Sequence, residues 1–168
     1  MVGYRLVRQA RASDAFNGEG ARRFGGRWNP KNIPAVYGSE HLSLAVLEFR
    51  VNQGGYDPDD QYVYFQFEFD EALVESVETP PAGWLTRFKE DGSITAAQAF
   101  GEEWFLQKSS AVLSVPSAVI RIERNFVLNP HHADFPKVAI SAAAKLDFDP
   151  RLWNTAYLEV SVSSRGPD

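Results

Sequence analysis

The stretch from Tyr62 to Phe69 places Val63, Phe65, Phe67 and Phe69 at every second position, with Tyr62, Tyr64, Gln66 and Glu68 between them. Successive side chains of a strand point to opposite faces, so this period of two commits the segment to a β-strand with one wholly apolar face. That face must be covered by helices or by more sheet. Shorter extended pieces are expected at 4–7, 35–37, 71–77, 125–128, 138–142 and 157–163, with a polar loop through Asn17-Gly18-Glu19-Gly20 after the first. Residues 111–120 are apolar but contain Pro116. The segment is therefore confined to a sheet edge or to a strand broken at Pro116-Ser117.

Two helices are expected. Ser39 suits an N-cap for a helix running to Val51, with Gly54-Gly55 beyond its end. On a 100° wheel Leu42, Ala45, Val46 and Phe49 share one face, and Leu44, Leu47 and Val51 lie nearly opposite, which predicts a helix buried on most sides. Ser43 and Arg50 take the remaining polar stripe. Glu48 falls away from that stripe, between the apolar faces, where a carboxylate is costly unless it has a partner or a task. A second helix is expected over 96–109. Strands and helices mix without regular alternation, and no repeat divides the 168 residues. The expectation is an α+β fold in a single domain, 1–168, with its core over residues 4–160.

Composition removes several kinds of chemistry. There is no cysteine, hence no disulfide, Fe–S cluster, thiolate zinc site or cysteine nucleophile. A metal would need His and carboxylates alone. His131-His132-Ala133-Asp134 reads instead as a polar turn after Asn129-Pro130, and no metal site is expected. Asp57-Pro58-Asp59-Asp60 and Glu102-Glu103 read as solvated surface. Neither the Rossmann fingerprint, the P-loop nor a G-x-S-x-G elbow is present.

The formal net charge is −5, yet the first 27 residues carry Arg5, Arg8, Arg11, Arg22, Arg23 and Arg27 against only Asp14 and Glu19. This distribution suits a small phosphorylated ligand better than nucleic acid, because the planar arginine fork matches phosphate oxygens. The two acids, and the fold-like run Phe24-Gly25-Gly26-Arg27-Trp28, argue against a transit peptide. No segment approaches the roughly 18 apolar residues of a membrane span. A soluble, cytoplasmic protein is expected.

Gly25-Gly26 and Asn29-Pro30 bracket Arg27 and Trp28 in a tight loop. Arg27, Tyr37 ahead of the first helix, Glu48 within it and Ser117 at the strand break form a constellation of chemically capable groups. Each also has a structural alternative: Arg27 in an ion pair, Tyr37 in the core, Glu48 as a satisfied buried acid, Ser117 as a turn hydroxyl.

At these residues the sequence resembles the RES domain family, named for its Arg, Glu and Ser. The matching stretches are Tyr4-Arg5, Gly25-Gly26-Arg27-Trp28-Asn29-Pro30, Val36-Tyr37, Ser43-Leu44-Ala45-Val46-Leu47-Glu48, Val115-Pro116-Ser117-Ala118-Val119-Ile120, Asn125-Phe126 and Leu128-Asn129-Pro130. The resemblance implies a mixed, split β core similar to ADP-ribosyltransferases. It also implies the toxin of a type II toxin–antitoxin pair that cleaves the nicotinamide–ribose bond of NAD+, with water, phosphate or a protein accepting ADP-ribose. NAD+ would be a substrate and no cofactor is implied. Glu48 would meet the ribose and its developing charge, Arg27 the phosphates or ribose, Tyr37 the nicotinamide ring, and Ser117 a polar group of the substrate, with Asn125 and Tyr4 as further pocket residues. The implied partner is an Xre-like helix-turn-helix antitoxin that supplies the DNA binding. The rival expectation is a non-catalytic ligand- or protein-binding module in which Glu48 is structural.

Overall fold

The alternating segment is β3, Tyr62–Glu68, and it pairs antiparallel along its whole length with β1, Val2–Arg8. A computed structural model of the chain describes residues 1–53, 61–149 and 152. Gly54-Gly55, the acidic run 57–60 and the strand expected at 157–163 lie outside these. The other elements are α1 (Glu19–Phe24), β2 (Val36–Ser39), α2 (Leu42–Gln53), β4 (Val74–Ser76), α3 (Ala96–Gln107), β5 (Val112–Pro116), β6 (Arg124–Leu128), β7 (Ala139–Ile140) and β8 (Ala144–Leu146). Among the described residues the strands form one mixed sheet in the order β4-β5-β6-β2-β1-β3-β7, with β8 also pairing with β3. Among these described strands only β4 and β5 run parallel. No described helix is long and apolar enough to cross a membrane.

The register sorts the core into two faces. Val36, Phe67, Val112, Phe126 and Leu128 pack together on one side with Phe69 and Leu73. Residues one position along, Leu113, Val115 and Val127, pack on the other side against Trp28, Ala97 and Trp104, which brings α3 and the loop after α1 onto that face. Leu6 and Tyr62 meet Ala45 of α2 nearby. Burying each such side chain contributes about 1.5–3 kcal/mol before entropic costs.

Four sequence expectations need correction. The loop expected through Asn17-Gly18-Glu19-Gly20 is not simply a loop, since a 3-10 turn takes up Gln9–Asp14 and α1 already starts at Glu19. Residues 71–77 divide into a 3-10 turn, Glu71–Leu73, and the short β4. Ser39 is not a helix N-cap. It ends β2, and α2 begins three residues later. Helix α2 buries Leu44 and Ala45, but Leu47 and Val51 stay exposed. The Pro116 dilemma resolves toward the break: β5 lies inside the sheet between β4 and β6 and stops at Pro116.

Candidate active site

Helix α2 follows β2 directly, and Leu44 on its fully buried side sits one turn before Glu48. The Glu48 side chain, half-buried, reaches the chain just past β5 and the start of β6. Its Oε1 accepts from Ser117 Oγ at 2.7 Å and from Asn125 Nδ2 at 2.5 Å. Residues 69 and 77 positions away thus converge on one carboxylate oxygen.

Ser117 is fully buried, with its hydroxyl turned to Glu48. Its oxygen accepts from the backbone N–H groups of Val119 and Ile120, both at 3.0 Å, while its single proton goes to Glu48. A hydroxyl has one proton and two lone pairs, and all three are used here. Asn125 is half-buried and borders the cleft as well as holding Glu48. Its Oδ1 accepts from Ser39 Oγ at 2.7 Å.

Arg27 is presented by a loop that is fastened at several points. Asn29, almost fully buried, donates from Nδ2 to the carbonyls of Ala21, Pro30 and Ile33. Its Oδ1 accepts from the Tyr37 hydroxyl at 2.7 Å, and that hydroxyl accepts from the Trp28 N–H at 3.0 Å. Gln98 of α3, which also completes a capping box with Thr95, donates to the Gly26 carbonyl at 3.0 Å. Two glycines allow these approaches. A Cβ at Gly26 would fall 2.5 Å from the Tyr37 hydroxyl, and one at Gly101 would fall 1.7 Å from the Trp28 carbonyl oxygen. Burial pushes the Tyr37 phenol well above its ordinary range, and the hydroxyl stays protonated.

The Arg27 guanidinium donates from Nη1 to the carbonyls of Trp84, at 3.2 Å, and Leu85, at 2.6 Å. The same loop stacks Trp84 on Trp28, with ring centroids 5.9 Å apart, and brings Arg87 to the cleft. Half-burial draws the Arg27 pKa down from its ordinary value; the field of Glu48 opposes that shift and the field of Arg87 adds to it.

Tyr4, Arg27, Tyr37, Glu48, Arg87 and Asn125 all line one cleft of about 730 Å³, a volume within the roughly 300–1,000 Å³ common for small-molecule sites. Of the expected site residues only Ser117 stands outside it. Sequence reading missed Ser39, Trp84, Leu85 and Arg87, which carry no motif and enter through tertiary contacts alone.

Of the remaining early arginines, Arg5, Arg8 and Arg11 also line the cleft. Arg5 donates to the carbonyls of Ala15 and Tyr37 at 2.6 and 2.5 Å, and burial lowers its pKa to about 10. Arg22 and Arg23 pair with Glu19, and Arg11 with Asp14. His131 and His132 occupy a turn, where His132 Nδ1 accepts from the Asp134 N–H.

This is an α+β domain with a curved mixed sheet whose cleft sets one held carboxylate beside arginine side chains. The chain belongs to the RES domain family, whose model matches residues 3–150. It is 33% identical over 154 residues to "Toxin Res" of Yersinia enterocolitica, covering 90% of this chain and 99% of that protein. It is also 33% identical over 157 residues to the Prs ADP-ribosylating toxin of a Sphingobium species, covering 89% and 94%. A third relative is MbcT of Mycobacterium tuberculosis, called an NAD(+) phosphorylase, with 53% identity over 36 residues, 21% of this chain and 19% of that one. The crystal structure of the M. tuberculosis MbcT–MbcA toxin–antitoxin complex shares the fold, with a TM-score of 0.67, 23% identity, and coverage of 96% of this chain and 88% of that chain.

Proposed function

We propose that this chain is the toxin of a toxin–antitoxin pair and that it breaks the bond between nicotinamide and ribose in NAD+. The observation that carries the reading is Glu48: a carboxylate held by two donors on one oxygen, at the edge of a cleft that also presents Arg27 and Arg87. The names of the relatives point the same way, one being an ADP-ribosylating toxin and another an NAD(+) phosphorylase.

Nicotinamide leaves NAD+ as a neutral molecule, taking the electron pair of the glycosidic bond, so departure needs no proton donor. The ribose carbon it leaves becomes oxocarbenium-like, and a fixed anion nearby lowers that barrier. Glu48 supplies the anion and accepts from the ribose hydroxyls. Arg27 and Arg87 hold the diphosphate, the Tyr37 ring packs on nicotinamide, and Tyr4 and Asn125 complete the walls. An acceptor oxygen from water, phosphate or a protein then bonds to the ribose carbon and gives up its proton to solvent. NAD+ is consumed as substrate, and the scheme calls on no cofactor or metal. The partner is an antitoxin of the Xre-like helix-turn-helix kind, which carries the DNA binding, and the reaction takes place in the cytoplasm.

Induction without antitoxin tests this reading. Wild type is expected to arrest growth and drain NAD+, and Glu48→Gln to do neither. The product names the acceptor: free ADP-ribose, ADP-ribose-1″-phosphate, or a labelled protein. Equal arrest by both proteins contradicts catalysis through Glu48. Harmless wild type with an intact NAD+ pool favours the binding-module reading.

A further inference from the structure

An amide side chain has a donor end and an acceptor end, and only the donor end can meet an ionised carboxylate. Asn125 must therefore turn Nδ2 toward Glu48, which leaves Oδ1 needing a donor of its own. Ser39 supplies it. The two residues are direct cross-strand partners of β2 and β6, and Ser39 is also the register partner of Tyr4 in β1. Ser39 is 3% exposed, so water cannot readily replace its hydroxyl.

We propose that Ser39 is a positioning residue for the cleavage reaction. Its hydroxyl locks the Asn125 amide with the donor end forward, so that Asn125 and Ser117 both bind Oε1 of Glu48 and Oε2 is the oxygen left for the ribose. The proposal rests on the NAD+-cleaving reading of the cleft.

Both donors to Oε1 are fixed from behind by the same logic. The Val119 and Ile120 N–H groups occupy the lone pairs of Ser117 and direct its proton forward. The Ser39 hydroxyl occupies Oδ1 of Asn125 and directs Nδ2 forward. Among the described residues, the donor nearest Oε2 is Asn52 Nδ2, at a marginal 3.4 Å, from an exposed side chain one turn along α2. The two carboxylate oxygens are therefore inequivalent before any substrate arrives. Removing the Ser39 hydroxyl strands the Asn125 oxygen; the amide loses its anchor, swings toward other donors, and no longer holds the Glu48 carboxylate in its set orientation.

The test uses the full chain as wild type, Ser39→Ala and Ser39→Thr, with two readouts. In a ¹⁵N–¹H spectrum, the Asn125 side-chain amide pair should lie apart from those of exposed amides in wild type and Ser39→Thr. In Ser39→Ala it should move toward the exposed positions. In steady-state kinetics, Ser39→Ala should lower kcat for nicotinamide release about 10- to 100-fold, as expected when a reacting group is misplaced. KM for NAD+ should change little, and Ser39→Thr should recover most of the loss. An Asn125 amide pair unmoved by Ser39→Ala overturns the proposal whatever the enzyme does. So does an unchanged kcat in Ser39→Ala when Glu48→Gln is inactive, and that result leaves the NAD+ reading standing. Wild type that releases no nicotinamide defeats the NAD+ reading and with it the kinetic role of Ser39, while the spectrum still decides the amide lock.

Discussion

The Ser117 hydroxyl and Oε1 of Glu48 lie 2.7 Å apart, although β3, β4, α3 and β5 all intervene in the chain between them. The serine is wholly buried and the carboxylate borders the cleft, so the contact joins the interior of the fold to its reactive surface. Ser117→Ala leaves Glu48 with one donor on that oxygen and strands the Val119 and Ile120 N–H groups. A loss of about 1 kcal/mol in stability is expected from those partly buried groups, read by denaturant unfolding. kcat for nicotinamide release should fall, with KM for NAD+ nearly unchanged, because the hydroxyl has no free valence for substrate.

Arg87 lies opposite in character, exposed and joined to no carboxylate among the described contacts, with its guanidinium 5.2 Å from the centre of the Phe88 ring. Its field is felt at both Arg27 and Tyr37. Arg87→Ala should therefore act on binding. We expect KM for NAD+ to rise about 10-fold, matching the loss of a charge-assisted contact of 1.5–3 kcal/mol at the low end, with kcat and melting temperature close to wild type. Steady-state kinetics beside a thermal melt provides the check.

Gly101 tests how the arginine loop is seated. A methyl group there would meet the Trp28 carbonyl oxygen at 1.7 Å, against backbone rather than a yielding side chain. Gly101→Ala must push α3 away from the loop that presents Arg27, at a cost of about 1–3 kcal/mol typical of overpacking. Chemical denaturation should register that loss, and NAD+ cleavage should weaken with it. A variant as stable as wild type would show that the loop and α3 can part freely.

How much of this could be read in advance depended on the range of the interaction. Strand β3 was legible because its period of two is local, and α3 because a run of apolar residues at helical spacing is equally local. Arg27, Tyr37, Glu48 and Asn125 were found as motif residues, and the cleft gathers all four. Ser39 misled because a serine before Glu40 and an apolar run looks like a helix start; its actual partner, Asn125, stands 86 residues away. Leu47 and Val51 looked buried because a helical wheel cannot tell which of two apolar faces the sheet will cover. Trp84, Leu85 and Arg87 were invisible for a different reason. They lie in an irregular segment with no periodicity, and two of their contacts with Arg27 use backbone carbonyls that any residue could supply.

The most direct measurement of the whole account is nicotinamide release from NAD+ by the purified protein, free of antitoxin, compared with Glu48→Gln. The substitution keeps the size of the side chain and removes the negative charge that the oxocarbenium-like ribose requires. Wild type is predicted to release nicotinamide in step with NAD+ loss, and the variant to lose most of that rate, about 100-fold or more, while still melting cooperatively. Equal rates from the two proteins, or no release by wild type, would contradict the account.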